Sequence, residues 1–386
     1  MSKGKPIPLY AFRPYGWSEE QSPLHCLLFY ENYLLIGSGD GQIFWYDLKT
    51  LRPERSYLPN IRSPCLQLLR SGSYLISQSK AGDVSMWIQR EGDSWIRKNK
   101  TDNNHTGFCR IKVLEVDGVS RAVGCPAGRS ELAVYSVSEG KFTEVCQLKL
   151  PETERTSAGI VTCFSAAGEL IREEEDSDTE ESDEPASVQL VFTEQSISPA
   201  TQALAATQLS VVSLHEANVM HLWDIRQPSD PCHSLKPMDR HEECEGNSIP
   251  VAVDFDINMK RGVYTGMTDA LGTFTTVGQT LKHFEMKHPM KMTNRGALSV
   301  VIQRVEFATT KSRIVAVGCC DGTVRVYSWS TGRPLAILPH GDGISSVQDV
   351  AFSEGPLESL NSESVIVAAG ADSSVSFWSS DFTRKT

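Results

Sequence analysis

Hydrophobic and polar residues alternate most regularly in the stretch IVAVGCCDGTVRVYSWSTGRPLAIL, which ends at Leu338. It predicts an apolar strand at Ile314–Val317, a glycine-aspartate turn, an alternating strand at Thr323–Trp329 and a short strand at Pro334–Leu338. Alternation with a period of two, bounded by Gly and Asp, is typical of half-buried antiparallel strands joined by tight turns. A further apolar run at Val301–Phe307 supplies a first strand. The unit is therefore predicted to be a four-stranded antiparallel sheet.

The same unit recurs along the chain, each time with an aromatic residue that closes its third strand and an apolar residue three positions before it. These aromatics are Tyr46, Trp87, Tyr135, Trp223, Phe274, Tyr327 and Trp378. Their successive spacings are 41, 48, 88, 51, 53 and 51 residues. Units of about 40–45 residues, longer where loops grow, are typical of propeller blades. The pattern predicts an all-β fold, a single seven-bladed β-propeller that spans residues 1–386.

The widest spacing is predicted to contain an insertion in blade four, at residues 166–208. Its segment Glu173–Glu184 (EEEDSDTEESDE) holds nine carboxylates and no basic residue. Because such a segment cannot bury enough apolar surface to offset its ordering entropy, we expect disorder at 171–186. Ser177, with acidic residues directly after it and three positions on, is a possible phosphorylation site for an acidophilic kinase. The segment is either a solvated spacer or a phosphorylatable arm that binds a basic partner.

The net charge of −11 comes mostly from that segment, and the remainder of the chain carries only −2. A near-neutral body does not favour direct binding of nucleic acid. No apolar run approaches the roughly 20 residues that span a bilayer, and we expect no secretory signal at the N-terminus. The ten cysteines show no CxxC pair and no zinc-type spacing, which predicts buried thiols in a reducing compartment.

No catalytic, metal or cofactor site is predicted, and the protein is not expected to be an enzyme. His215 and His221 flank a glutamate in HEANVMH, but this is not HExxH and lies across a predicted hairpin. The glycine cluster at Gly37–Gly41 lies between two strands and does not open a helix, so it is not a phosphate loop. We expect His25, His241 and His340 to connect neighbouring loops. Aspartates 40, 321 and 372 are expected to stabilise the turns between second and third strands.

Two connections complete the predicted ring. A polar linker at Glu91–His105 is expected to separate blades two and three. Blade seven has no good fourth strand after Trp378, and an unclosed ring would expose a sheet edge. We therefore predict that an N-terminal strand formed by Leu9, Tyr10, Ala11 and Phe12 completes blade seven. Prolines 6 and 8 cannot donate to a ladder, so pairing should begin near Leu9.

The third-strand sequences DGQIFWYDL, NVMHLWDI, DGTVRVYSW and DSSVSFW resemble WD repeats. More specifically, the chain is similar to the family of WD-repeat guanine-nucleotide-binding β-subunit-like proteins and ASTRA-associated WD proteins. The residues that carry this resemblance are Ser22–Phe29, Gly107–Ile111, Val251–Gly266 and the last two blades.

The resemblance implies a non-enzymatic scaffold or adaptor in the nucleus and cytoplasm. Its partners would be proteins: co-chaperone subunits of an ASTRA-like assembly that supports phosphatidylinositol 3-kinase-related kinases, and RuvB-like ATPases linked to chromatin remodelling. It would be a monomeric propeller within a larger complex, with no membrane contact.

Two alternatives from other classes stay open. A G-protein β signalling subunit would need an N-terminal helix with apolar heptads, but prolines 6, 8 and 14 interrupt that region. A propeller hydrolase would need polar residues that converge on the central channel, and the sequence shows no such set.

Overall fold

The computed structural model describes residues 6–15, 21–54, 61–90, 94–102, 105, 107–116, 120–169, 209–236, 249–293, 295–306 and 311–382. Within these ranges the strands form seven antiparallel sheets of four strands each. The first strands of neighbouring sheets contact one another in a closed circle around the axis, from blade one through blade seven and back to blade one. The predicted seven-bladed β-propeller is confirmed.

Six blades take their four strands consecutively from the chain, in order from the axis outward. The strands of blades one to three are β2 (Leu24–Tyr30), β3 (Tyr33–Ser38), β4 (Ile43–Asp47) and β5 (Arg52–Glu54); β6 (Cys65–Ser71), β7 (Tyr74–Ser79), β8 (Asp83–Gln89) and β9 (Trp95–Asp102); β10 (Lys112–Val116), β11 (Ser120–Ala127), β12 (Glu131–Ser138) and β13 (Lys141–Lys149).

Blades four to six follow in the same manner. Their strands are β14 (Val161–Glu169), β15 (Leu209–His215), β16 (Val219–Asp224) and β17 (His233–Leu235); β18 (Pro250–Asp256), β19 (Arg261–Gly266), β20 (Gly272–Val277) and β21 (Thr280–His283); β22 (Ala297–Glu306), β23 (Lys311–Cys319), β24 (Thr323–Ser328) and β25 (Pro334–Pro339).

Blade seven joins the two ends of the chain. Its strands are β26 (Val347–Phe352), β27 (Val365–Gly370), β28 (Val375–Ser379) and, outermost, β1 (Tyr10–Phe12). Strand β1 runs antiparallel to β28, with Tyr10 opposite Phe377 and Phe12 opposite Val375. The Leu9 N–H donates to the Phe377 carbonyl at 2.8 Å. Closure of the ring by an N-terminal strand is thus confirmed.

The closing strand also binds blade one through its side chains. The Phe12 ring stacks on the Tyr46 ring with centroids 3.8 Å apart, and the Tyr10 hydroxyl lies 2.6 Å from the Tyr46 hydroxyl. The N-terminal strand therefore completes a sheet by backbone pairing and fills the interface with the next blade by aromatic packing.

The hydrophobic core lies between adjacent blades. Each of the seven third-strand aromatics is at most 8% exposed and belongs to the cluster shared with the preceding blade. The three tryptophans among them also donate their indole N–H to a buried serine hydroxyl at 2.8–2.9 Å: Trp87 to Ser77, Trp223 to Ser213 and Trp378 to Ser376. A large ring with one satisfied polar atom suits such a buried interface.

Three features differ from the sequence expectation. The predicted linker at Glu91–His105 contains β9, the outer strand of blade two. Strand β14 continues to Glu169, so residues 166–169 belong to blade four and not to the insertion. A short helix, α1 (Glu152–Ala158), connects blades three and four. Residues 170–208, which include the acidic segment and Ser177, lie outside the described residues.

The helix α1 has local causes. It begins after Pro151, whose fixed φ suits a helix start, and two glutamates in its first turn complement the positive end of the helix dipole. It ends at Gly159, where φ is +73°. No helix among the described residues is long and apolar enough to cross a membrane.

Candidate functional site

The polar residues nearest the axis first serve to join the blades. The innermost strand of each blade is a sheet edge, so half of its N–H groups lack a partner within the sheet. In β26, the Asp349 carboxylate accepts from the Leu27 N–H of blade one at 2.8 Å and from the Ser299 hydroxyl of blade six at 3.2 Å. In β18, Asp254 accepts from the Ile302 N–H of blade six at 2.7 Å. Short polar side chains thus satisfy the inner strand of a neighbouring blade.

Burial changes the acid-base behaviour of one of these carboxyls. Desolvation raises the pKa of Asp254, while the positive charge of Lys112 and the N–H bond from Ile302 oppose that rise. The Lys112 ammonium comes from the inner strand of blade three, so its field reaches the carboxyl of blade five. Burial outweighs the opposing charge and hydrogen bond, so the pKa of Asp254 stays above its ordinary value.

Arg110 connects blades that are not neighbours in sequence. It lies two residues before the inner strand β10 of blade three, and one of its terminal nitrogens lies 2.7 Å from Asp349 Oδ1 of blade seven. The other donates to the backbone carbonyls of His25 in blade one, at 2.7 Å, and Gln348 in blade seven, at 2.9 Å. A planar guanidinium can satisfy several acceptors at once. It therefore joins three blades at one end of the channel.

This end of the channel belongs to the face of the ring at which the inner strands begin, which we call the upper face. The turns between second and third strands lie on the same face, because successive strands in each blade are antiparallel. In two of them the predicted aspartates accept from N–H groups two residues on: Asp321 from Thr323 and Asp372 from Ser374, both at 3.1 Å. Asp40 accepts from the Ser38 hydroxyl at 2.5 Å and the Tyr15 hydroxyl at 2.6 Å, and more weakly from the Gln42 N–H two residues on, at 3.4 Å.

Beside Arg110, the upper face presents a cation and an exposed aromatic ring. Lys80 lies in the turn between β7 and β8, and its ammonium is 4.2 Å from the centroid of the Phe108 ring. Phe108 is 64% exposed. Burial and the charges of Arg110 and Lys80 lower the pKa of His25, which places all four groups in one electrostatic neighbourhood.

We call His25, Lys80, Phe108, Arg110 and Gln348 the channel-mouth cluster. No sequence pattern brings these five residues together, because they come from blades one, two, three and seven. The signal available in the sequence was a phenylalanine and an arginine in the segment before an apolar strand, where binding residues are often found. Their convergence depends on ring closure.

The predicted structural histidines fall in different places. His340 is buried, and its ring lies 2.6 Å from the Ser376 hydroxyl and 3.1 Å from the Ser374 hydroxyl. It therefore links the loop before blade seven to the third strand of that blade. His25 is in the channel-mouth cluster, and His241 lies outside the described residues.

The pair His215 and His221 occupies a hairpin and not a helix. The two rings meet edge to face with centroids 4.8 Å apart, and serine hydroxyls contact His215 Nε2 at 3.0 Å and His221 Nδ1 at 2.8 Å. Burial lowers the pKa of His215 to about 3 and that of His221 to about 4. Among the described residues, no group of three or more His, Cys, Asp or Glu side chains is arranged to hold a metal ion.

Comparison with known proteins agrees with this architecture. No family model matches the chain. The mouse protein named guanine nucleotide-binding protein subunit beta-like protein 1 is 24% identical over 315 residues, which cover 81% of this chain and 76% of the mouse protein. The β-propeller domain of Cps50 (Swd1) from Myceliophteria thermophila superimposes with a TM-score of 0.60 at 12% identity, covering 93% of this chain and 98% of that domain. The second likeness concerns the fold alone.

Proposed function

Because the chain is a WD-repeat protein whose fold is a seven-bladed propeller, we propose that it works as a non-enzymatic scaffold that binds other proteins. One observation carries this proposal: the charged groups at the axis are engaged in holding the ring together. Arg110 and Asp349 bind each other and the backbones of the adjoining blades. The loops of a rigid ring, by contrast, offer extended surfaces for partners.

The finer proposal concerns the assembly in which the scaffold works. We infer that it belongs to an ASTRA-like co-chaperone assembly that supports the stability of phosphatidylinositol 3-kinase-related kinases, together with RuvB-like ATPases linked to chromatin remodelling. This inference is supported by the family resemblance of the blade sequences and by the alignment with the mouse β-like protein over 81% of the chain. The same resemblance supports a location in both nucleus and cytoplasm.

Affinity purification from native cells with mass spectrometry tests this assignment. The tag belongs at the C-terminus, because the N-terminal strand completes blade seven. We expect kinase-maturation factors to co-purify, and depletion of the chain to lower the steady-state level of those kinases. Recovery of a small γ-like subunit would favour the G-protein alternative. Unchanged kinase levels after depletion would contradict the co-chaperone role.

The acidic segment provides a separate, sequence-based part of the proposal. We infer that phosphorylation of Ser177 adds charge to a run that already holds nine carboxylates and so strengthens binding of a basic partner. Ser177→Ala should then weaken capture of that partner, whereas Ser196→Ala, outside the acidic run, should not. Equal capture by both variants would remove the phosphorylation hypothesis and leave the spacer interpretation.

A further inference from the structure

The channel-mouth cluster combines a positive potential with an exposed apolar surface. The charge of Arg110 is neutralised by Asp349, whose oxygens also accept from Leu27 and Ser299. Among the described residues, no carboxylate lies within ion-pair distance of Lys80, which instead rests on the Phe108 ring. The cluster therefore retains the charge of Lys80.

From this combination we propose that the channel-mouth cluster binds an extended acidic segment of a partner protein. An Asp or Glu of the segment pairs with Lys80, and an adjacent apolar side chain covers Phe108. The proposal rests on the scaffold function and specifies the chemistry of one partner surface.

Charge complementarity selects this occupant. The two cations already disfavour protonation of His25, so an incoming basic segment would meet further repulsion. An acidic group would be attracted by Lys80 and would not have to displace the Arg110–Asp349 pair. Because both cations lie at the edge of a ring whose body is near neutral, the attraction is local and weakens with added salt.

Phe108 supplies the apolar part of the contact. At 64% exposure it presents most of its ring to solvent, while Lys80 occupies one side of it. Exposed aromatic rings on rigid scaffolds are frequent anchors of protein interfaces, because they bury a large apolar area at a low entropic cost. The loop that carries Phe108 is fixed two residues later by the bonds of Arg110, so the ring is held in a defined place.

A peptide-binding experiment on the full chain tests the proposal. The probes are short fluorescein-labelled peptides with Asp or Glu next to Leu or Phe, the same peptides with Lys or Gln in place of the acid, and an oligothymidylate. Fluorescence polarisation should show saturable binding of the acidic peptides alone, weakened as salt is raised. Lys80→Glu and Phe108→Ala should each weaken it about tenfold or more, the range expected for an interface anchor.

Two control variants address the opposite face of the ring. Lys49→Glu reverses an exposed charge in the turn between β4 and β5, and Ile257→Ala removes an apolar side chain that is 46% exposed in the turn between β18 and β19. Both should bind the acidic peptides like the wild type. Phe108, Lys49 and Ile257 are exposed, and Lys80 is half-buried. None of the four side chains lies in the core, so the unfolding midpoints of the variants should stay close to that of the wild type.

The pKa of His25 provides a spectroscopic test, because peptide binding would leave it unchanged if the role of Lys80 were purely structural. Burial lowers the pKa of His25 most, the charges of Arg110 and Lys80 lower it further, and Asp349 raises it. A bound carboxylate should raise the pKa of the ring, as measured by NMR titration with and without peptide.

Several outcomes would overturn the proposal. These are no saturable binding of any acidic peptide, equal binding by Lys80→Glu and Phe108→Ala, or an unmoved His25 titration. Oligothymidylate binding that both variants abolish would assign the cluster to nucleic acid instead. If peptides bind as expected but no kinase-maturation factor co-purifies with the chain, the assembly proposal fails and the acidic-segment site stands. If the assembly co-purifies equally with both variants and peptides do not bind, the acidic-segment site fails and the assembly proposal stands.

Discussion

The N-terminal strand gives the sharpest prediction about how the ring is held closed. Replacing Phe12 by alanine removes a half-buried ring that stacks on Tyr46, with centroids 3.8 Å apart and planes 13° from parallel. Truncating a fully buried phenylalanine costs about 3–5 kcal/mol, so half burial corresponds to about 2 kcal/mol. Loss of the stacked aromatic pair adds about 1 kcal/mol. We expect Phe12→Ala to lower the free energy of unfolding by about 3 kcal/mol.

That loss can be measured as a change in melting temperature. Unfolding entropy is about 2.1 cal/mol/K per residue, so for a ring of this length about 3 kcal/mol corresponds to a decrease of about 4 °C. Thermal unfolding followed by circular dichroism on the full chain measures it. Ile7→Ala, at a side chain that is 84% exposed, is the matched control and should shift the midpoint by less than 1 °C, a change of under about 0.5 kcal/mol.

A deletion extends the same reasoning to the whole strand. Removing residues 1–13 leaves β28 as an unpaired edge and uncovers Tyr46 and Phe377. The ring should then unfold at a lower temperature and in a single, broader transition, because β1 connects blade seven to blade one and its removal weakens that interface. A deletion variant that melts like the full-length chain would refute the closure argument.

Further predictions concern the axis, the buried histidines and a tight turn. Arg110→Leu leaves the Asp349 carboxylate without its guanidinium and should lower the free energy of unfolding in denaturant by about 3–5 kcal/mol. Adding Asp349→Asn to that variant should restore part of the lost stability, and strictly additive effects of the two substitutions would contradict the coupling. Burial lowers the pKa of His215 to about 3 and of His221 to about 4. Because only the unfolded chain takes up these protons between pH 6.5 and about 4, stability should fall by about 2 kcal/mol per histidine at pH 5, whereas a flat profile from pH 7 to 5 would contradict their neutral burial. Gly37→Ala would place a Cβ 2.5 Å from a buried cysteine sulfur, so its melting temperature should fall by several degrees, and a wild-type melting curve would show that the strand can shift.

The repeat and the closure could be predicted because they leave a strong trace in the sequence. Short apolar or alternating strands recur between glycine and aspartate turns, and each third strand carries a buried aromatic such as Trp223 or Trp378. Ring closure could be predicted from the number of strands in each blade, since blade seven had only three while an apolar segment before blade one belonged to no sheet.

The outer elements could not be predicted in the same way. In β9, only Trp95 is buried, so the strand shows no alternation that would distinguish it from a linker. In α1, only Ala158 is buried, and no amphipathic stripe marks the helix. Strand β14 continues past the predicted insertion start because backbone pairing with β15 requires no apolar side chain at each position.

The channel-mouth cluster was beyond sequence reasoning for a geometric reason. Arg110 contacts residues 85 and 239 positions away in the chain, and no local sequence pattern links positions so far apart. Only the closed ring brings blade three beside blades one and seven at the channel. Candidate binding residues on a propeller therefore have to be identified in the closed ring, because no single blade contains them all.

The size of the native particle tests the scaffold account most directly. Size-exclusion chromatography of fresh cell extract, followed by immunodetection of the endogenous chain, separates the free ring from its assemblies. The account predicts that most of the chain elutes with large complexes and that depletion of its partners shifts it to the position of the single chain. Elution entirely at the position of the free ring, in undepleted extract at physiological salt, would contradict the scaffold function.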